Sequence, residues 1–369
     1  LYPAARFVGG GERKISMIKI NPQRVFNNPC KHSGLTRSDS FRPEGLLSVS
    51  ICMDTDFRQE MAEDVLSGMT GSVKSIPCKY LYDAYGSRLF DRICTLPEYY
   101  PTRTELEILD RNAHLIMEFF TEGEGSLIEI GSGSDLKIRS LLKGLNREGA
   151  RHVRYVPVDI CETSLLRSAH RLLDDFPWLC IHALVADFTR HINHLQDGRK
   201  LIAFLGGTFG NFTHEQGVAL LKGFAGIMSG RDRMLLGIDM LKPPGIIEAA
   251  YNDQSGVTAE FNRNILRHVN HRLRADFRLD DFEHLAFFDP DREQVEMHLR
   301  ARSRISAHIA EAGLCVSLEP GETILTEISR KFSRMRAMDC FDQAGLVPVR
   351  WFTDANAWFS LVELAVRAG

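Results

Sequence analysis

Leu127-Ile-Glu-Ile-Gly-Ser-Gly-Ser134 joins an apolar run to an acid and two glycines, the pattern with which a nucleotide-fold sheet opens toward an adenosine-bearing ligand. Glycines in the turn Gly131-Ser132-Gly133 let the backbone approach a ligand closely, and a helical stretch over 135–145 follows. The spacing is not that of a dinucleotide site. A Gly-x-Gly-x-x-Gly run needs glycine at 136, where the chain has Leu136. A tightly cradled pyrophosphate is therefore disfavoured, and S-adenosylmethionine, which carries no phosphate, is the better candidate for Gly131, Ser132 and Gly133. The same turn also occurs as a purely structural device, so its neighbours carry the reading further.

Tyr155-Val-Pro-Val-Asp159 predicts the second parallel strand, with a terminal carboxylate able to accept from both hydroxyls of a ribose. Ala183-Leu-Val-Ala-Asp187-Phe188 predicts the third, with Asp187 able to accept from an adenine amino group and Phe188 to flank or stack on the ring. Leu201-Ile-Ala-Phe-Leu205 has the unbroken apolar run of a buried central strand. It leads into Gly206-Gly-Thr-Phe-Gly-Asn211, a loop expected to reach the reacting centre. The alternative is that Asp159 and Asp187 merely cap the helices that follow them. Together these segments predict a doubly wound α/β sheet with its ligand beyond the carboxyl ends of the strands.

The composition fits an enzyme of one or two domains: 369 residues, 44% hydrophobic, net charge -3. That balance lacks the basic footprint of a nucleic-acid binder, and no apolar run approaches the ~20 residues of a membrane span. The eight cysteines stand apart, with no Cys-x-x-Cys pair and no Cys/His cluster at zinc spacing, which argues for inert thiols in a reducing cytoplasm and against a metal site. A monomer is expected. The first fifty residues hold eight Arg or Lys against three acids, with Gly9-Gly-Gly11 and scattered prolines, and residues 1–52 are expected to be disordered. Helices are expected over 57–69 and 104–119, with aromatics at helical spacing over 79–95. After a strand over 234–239, Lys242-Pro-Pro-Gly245 breaks the pattern and opens an insert expected to be helical, with one helix over 258–273. Strand character resumes over 294–301 and 323–331, and 351–364 is expected to close the sheet as an edge.

Alternation on the strand over 323–331 puts Glu327 and Ser329 on one face. Such residues are ordinarily solvated, but a carboxylate and a hydroxyl two positions apart can also grip a small polar ring such as imidazole.

Four longer segments carry a family resemblance: Lys79-Tyr-Leu-Tyr-Asp-Ala-Tyr-Gly-Ser-Arg-Leu-Phe-Asp91, Leu96-Pro-Glu-Tyr-Tyr-Pro-Thr-Arg-Thr-Glu105, Ala250-Tyr-Asn-Asp-Gln-Ser-Gly-Val-Thr-Ala-Glu-Phe-Asn-Arg-Asn264 and Thr326-Glu-Ile-Ser-Arg-Lys-Phe332. From residue 79 onward the chain resembles the histidine-specific N-alpha-methyltransferases of ergothioneine biosynthesis. The resemblance implies a Rossmann-like class I methyltransferase sheet, 106–241 and 331–369, interrupted by an α+β substrate-binding domain, 53–105 and 242–330. It implies S-adenosylmethionine as cofactor and L-histidine as a substrate trimethylated on its α-nitrogen to hercynine. Gly131 and Lys137 resemble the family's cofactor-loop positions, and Asp159, Asp187 and Phe188 its ribose and adenine contacts. Asn211 and Tyr251 are similar to residues that hold the amino and carboxylate ends of the amino acid, with Gly206 and Tyr82 beside them. Tyr82 and Asn211 are the implied catalytic orienters. Tyr99, Glu327 and Ser329 resemble an imidazole clamp, and Phe90 and Met297 an apolar wall. Two other readings stay open at this point: methylation of tryptophan or another aromatic amine, and a catalytically silent sensor of the cofactor.

Overall fold

The computed structural model describes residues 46–52, 57–146, 149–195 and 198–367. In chain order, β1 (Leu47–Ile51), α1 (Phe57–Thr70), α2 (Ala84–Ile93) and α3 (Tyr100–Met117) precede the glycine turn. Strands and helices then alternate: β2 (Gly125–Ile130), α4 (Leu136–Lys143), α5 (Gly149–His152), β3 (Val153–Asp159), α6 (Glu162–Asp175), β4 (Cys180–Val185), β5 (Lys200–Phe204), α7 (His214–Ile227) and β6 (Arg233–Asp239). Next come α8 (Pro244–Tyr251), α9 (Val257–Leu273), β7 (Phe282–Asp289), β8 (Gln294–Ala301), β9 (Ile305–Ile309), β10 (Leu314–Leu318) and β11 (Thr323–Arg330). Finally α10 (Arg334–Gln343), β12 (Leu346–Thr353) and β13 (Phe359–Val366) complete the first sheet.

That sheet has eight strands in the order β1-β4-β3-β2-β5-β6-β13-β12. All pairs are parallel except those of β13, which runs antiparallel to both β6 and β12. Side chains alternate between its faces. Leu127, Leu201 and Ala203 pack under α3, α4 and α6, while Ile128, Ile202 and Phe204 pack under α7 and α10. The strand order reverses between β2 and β5, and a ligand crevice is expected at such a reversal. A separate apolar cluster joins residues of α1–α3 to residues from α8 to β11, including the antiparallel sheet β11-β8-β7.

Several expectations need correction. Residues 47–51 were expected within a disordered segment, but they form β1, paired with β4 from Leu47↔Ile181 to Ile51↔Val185. Its side chains stay largely exposed, so the ladder rather than burial holds it, and composition does not register a ladder. The remainder of that expectation, 1–45, lies outside the described residues. The insert is not all helical. Phe282-Glu-His-Leu-Ala-Phe-Phe-Asp289 is β7, whose mixed burial hides the period of two. The stretch 351–364 is not one edge but parts of two strands. Asp354 accepts from Asn356 N and Phe359 N to turn the chain between them, and β13 slots inside the sheet. The helix expected over 104–119 begins at Tyr100, with Pro101 in its first turn, where a missing N–H costs nothing.

Candidate active site

A cavity of about 570 Å³ opens at the strand-order reversal, bounded on one side by the ends of β2, β3 and β4 and on the other by β11. Gly131 sits at φ +67° in the turn after β2, and neither it nor Gly133 has any heavy atom within 4 Å of where a Cβ would stand. Space beside exposed backbone is what a close-approaching ligand needs. Asp159, at the end of β3, accepts from Gly133 N at 3.2 Å and from Cys161 N at 2.8 Å. It therefore ties the glycine turn to the chain leading into α6, whose own N-cap, Cys161, has no side-chain capping bond, and it also lines the cavity, where a carboxylate has further lone pairs to offer. Burial raises its pKa against the pull of those backbone donors. Asp187 similarly accepts from Thr189 N and Oγ while facing the cavity, and Lys79 reaches it at 3.6 Å. Phe188 lines the same wall, held edge-on by Phe204 and Phe212. These residues fit an adenosine-bearing cofactor: two strand-end carboxylates, an aromatic flank and an unobstructed glycine turn.

The opposite half of the cavity is built by β11 and the segments packed on it. Glu327 and Ser329 both line it, as does Tyr251 at the end of α8. Burial drives the Glu327 carboxyl up to about 7, with Lys331 pulling the other way. Tyr251 donates to Ser329 Oγ at 2.8 Å. The 208–211 turn, which carries Asn211, lies so close to β11 that a Cβ on Gly210 would stand 2.8 Å from the Arg330 carbonyl oxygen. Asn211 Nδ2 contacts Cys78 Sγ at 3.6 Å. Tyr82, Phe90 and Tyr99 line the cavity as an edge-to-face chain, with centroids 5.5 Å apart for Tyr82–Phe90 and 6.1 Å for Phe90–Tyr99. Burial, then the Glu327 charge, raises the Tyr82 phenol well above its ordinary value, so it stays a neutral hydroxyl. Gly206 also lines the cavity, its N–H donating to Glu105 at 2.9 Å.

The residues expected at a site are thus brought together, with two exceptions. Ser132 is 2% exposed, and its hydroxyl has no hydrogen-bond partner among the described residues; it lies behind the turn rather than on the cavity. Met297 is register-paired with Glu327 but enclosed by the apolar cluster, so it supports the clamp strand without facing the cavity. Lys137 lines the cavity, yet its ammonium pairs with the fully buried Glu105 at 2.7 Å. Burial is the largest single influence and lowers its pKa, but Glu105, Cys94 and Glu129 together outweigh it, and the net shift is upward. Lys137 and Glu105 together brace Gly206.

Sequence reasoning also missed a buried ionic cluster behind the clamp. Asp239, at the end of β6, binds Lys331 at 2.8 Å, Lys242 at 2.5 Å and the Tyr100 hydroxyl at 2.8 Å. Two signals pointed to it: Asp239 is another strand-end carboxylate, and the alternation that pairs 327 with 329 extends to 331.

A family model described as histidine-specific methyltransferase, SAM-dependent, matches residues 61–366. The chain belongs to this family. Over 84% of the chain and 95% of the relative, it is 42% identical to a histidine N-alpha-methyltransferase of Mycolicibacterium smegmatis. A protein of the same description from Mycobacterium tuberculosis is 39% identical over 82% of this chain and 93% of its own length. Ergothioneine biosynthesis protein 1 of Neurospora crassa is 28% identical over 77% of this chain, which corresponds to 32% of that longer protein. The doubly wound sheet expected from the glycine turn and the strand ends is present, as is the methyltransferase family that the resemblance implied, and the family's cofactor is S-adenosylmethionine. Among the described residues, no helix is long and apolar enough to cross a membrane.

Proposed function

We propose that the protein transfers three methyl groups in succession from S-adenosylmethionine to the α-nitrogen of L-histidine, giving hercynine, with Glu327 and Ser329 gripping the imidazole. The observation that carries this reading is the carboxylate and hydroxyl of β11 facing, across one cavity, the glycine turn and the Asp159 and Asp187 carboxylates. The apolar clusters support a division of labour. Among the described residues, those within 106–241 and 331–369 build the cofactor side, and those within 53–105 and 242–330 build the substrate side.

S-adenosylmethionine, when bound, supplies a methyl on an already activated sulfonium, so this chain's residues have chiefly to position the amine. Gly131, Gly133, Asp159, Asp187 and Phe188 hold the adenosine end. Asn211 and Tyr251 hold the amino and carboxylate ends of histidine. Tyr82, as a neutral phenol, orients the amine rather than acting as a strong base. An α-ammonium must lose its proton before it can react, and partial burial in this cavity favours the neutral amine. As methyls accumulate the substrate becomes a fixed cation. The aromatic chain Tyr82–Phe90–Tyr99 tolerates it through attraction worth about 0.5–2 kcal/mol per well-placed ring.

Mass spectrometry of the protein incubated with histidine and S-adenosylmethionine is expected to show three stepwise methyl additions; no methylated histidine at any time would refute the reading. Glu327→Ala should weaken histidine binding roughly ten- to a hundredfold, since a buried bond to a charged group contributes about 1.5–3 kcal/mol. In calorimetry the cofactor product S-adenosylhomocysteine should bind this variant almost normally, and equal loss of both ligands would make Glu327 a structural residue.

The raised Glu327 carboxyl also sets a pH dependence. Below about 7 it is protonated and loses its charge as an acceptor, and below ~6.5 the ring of free histidine gains a proton as well. The KM for histidine should therefore fall as pH rises through 7 and then level off. Glu327→Gln should remove the upper part of that change, leaving a weaker dependence centred on the ring; an unaltered profile in the variant would exclude Glu327 as the titrating group.

A further inference from the structure

Between the pairs Leu325↔His298 and Arg330↔Gln294, residues 326–329 of β11 run beside residues 295–297 of β8, so β11 carries one residue more than its partner. Such a surplus is taken up as a β-bulge, in which two residues of one strand oppose one of the other. Here Glu327 pairs with Met297 and Ser329 with Val295, and Thr326 is the extra residue. Where the bulge falls decides which way Glu327 points. Opposed residues of an antiparallel pair share a face, and Val295 and Met297 belong to the apolar cluster that includes Tyr99 and Tyr251 of the cavity wall. Were the surplus taken up further along, Thr326 alone would oppose Met297, and Glu327 would come opposite Glu296 on the other face. Two carboxylates would then stand across from each other, although Glu296 is already bonded to Arg292, Gln294 and His298. The surplus cannot be lost, because both ends of the stretch are tied. Leu325 exchanges backbone bonds with Lys74 O at 2.8 Å and Ile76 N at 3.0 Å, and Lys331 N donates to Glu293 O at 2.7 Å.

A buried amide holds the bulge at 326. Asn262 of α9 is 0% exposed and Thr326 is 1% exposed. Asn262 Nδ2 donates to the His298 carbonyl at 2.9 Å and to His284 Nδ1 at 2.9 Å, which leaves Oδ1 to accept from Thr326 Oγ1 at 2.5 Å. A carbonyl can only accept, and this fixes the orientation of the amide. Thr326 Oγ1 also stands 3.0 Å from Met297 O, at the level of β8 where the surplus residue sits. Moving the bulge would carry Thr326 along the strand by up to the ~3.3 Å between successive residues, out of reach of the Asn262 oxygen. Burial lowers the pKa of His284 and keeps its ring neutral, so with Nδ1 accepting, Nε2 donates to Tyr251 O at 2.9 Å. One amide therefore ties the bulge to the end of α8, which carries Tyr251.

We propose that Asn262 and Thr326 are positioning residues: the Thr326 hydroxyl, bonded to the Asn262 amide, fixes the β11 bulge at 326 and so keeps Glu327 on the cavity face. This rests on the histidine reading above for what Glu327 meets, and not for where the bulge lies.

The test uses the full chain with S-adenosylhomocysteine present. Thr326→Val keeps the branched shape and removes the hydroxyl. Its dissociation constant for histidine should rise about tenfold or more, as expected when only a tenth of the molecules hold Glu327 on the cavity face. Thr326→Ser, which keeps the hydroxyl, should stay within about threefold of wild type, and both variants should bind S-adenosylhomocysteine within about twofold of wild type. In a Glu327→Ala background, Thr326→Val should weaken histidine binding by about threefold or less, because no carboxylate is left to misplace. A smaller loss in Thr326→Val, an equal loss in the Glu327→Ala background, or an equal loss of S-adenosylhomocysteine overturns the proposal and leaves the histidine reading intact. Crystals of Thr326→Val with S-adenosylhomocysteine give a reading independent of histidine: Glu327 should stand chiefly opposite Glu296, and continued pairing with Met297 overturns the proposal. No histidine binding by wild type refutes the histidine reading, and the crystallographic result then decides this one. Where Thr326→Val fails to fold, Thr326→Ala takes its place in the same measurements, with the same outcomes deciding.

Discussion

Asp239→Ala is expected to destabilise the fold by about 3–5 kcal/mol, the magnitude typical of removing one partner from a buried ion pair. Asp239 is 4% exposed and is the shared counter-ion of Lys331 and Lys242, so its loss strands two ammonium groups in the interior. The cost is bounded, because a stranded lysine can shed its proton. Lys242 is already pushed down to about 8 by burial, even with the Asp239 charge opposing that shift. The damage should reach the site as well. Lys331 would lose its anchor, and with it the arrangement of Tyr251 and Ser329. Urea unfolding of wild type, Asp239→Ala and the pair variant Asp239→Ala/Lys331→Met measures this. The pair variant should recover part of the loss, since it no longer buries an unmatched charge at 331. A single variant less than about 1 kcal/mol below wild type would mean that water or local rearrangement already solvates the cluster.

Asp159→Ala should raise the dissociation constant for S-adenosylhomocysteine by roughly a hundred- to a thousandfold, as two bonds from ribose hydroxyls to a half-buried, charged carboxylate each contribute about 1.5–3 kcal/mol and add imperfectly. Part of the loss is indirect. Asp159 also accepts from Gly133 N and Cys161 N, so alanine would loosen the glycine turn and the start of α6. Asp159→Asn separates the two contributions, because its amide oxygen can keep one backbone bond without the charge. Calorimetry with S-adenosylhomocysteine is the direct measurement. A loss below about tenfold in the alanine variant would reduce Asp159 to a structural tie between Gly133 and Cys161.

The parts of the fold that depend on neighbours in sequence were readable from the chain. The Gly131–Gly133 turn follows from turn chemistry, the strands ending at Asp159 and Asp239 from short apolar runs, and the shared face of Glu327 and Ser329 from period-two geometry. Elements whose stability comes from remote pairing were not readable. β1 has exposed side chains and exists because β4 offers an open edge; β7 lacks clean alternation and exists because β8 pairs with it; β13 enters the sheet because Asp354 turns the chain. The same distinction runs through the site. Asp159 and Asp187 announce themselves at strand ends, whereas Met297 and Ser132 look eligible and are turned aside by packing.

By itself the sequence determined which residue types stand at strand ends and on which strand face, because backbone geometry makes side-chain direction a local, periodic property. Tertiary structure alone decided that Tyr100, Asp239, Lys242, Tyr251, Ser329 and Lys331 meet in one buried cluster. Their charges are strong there because packing of distant segments excludes water, and no local pattern in the chain encodes that exclusion.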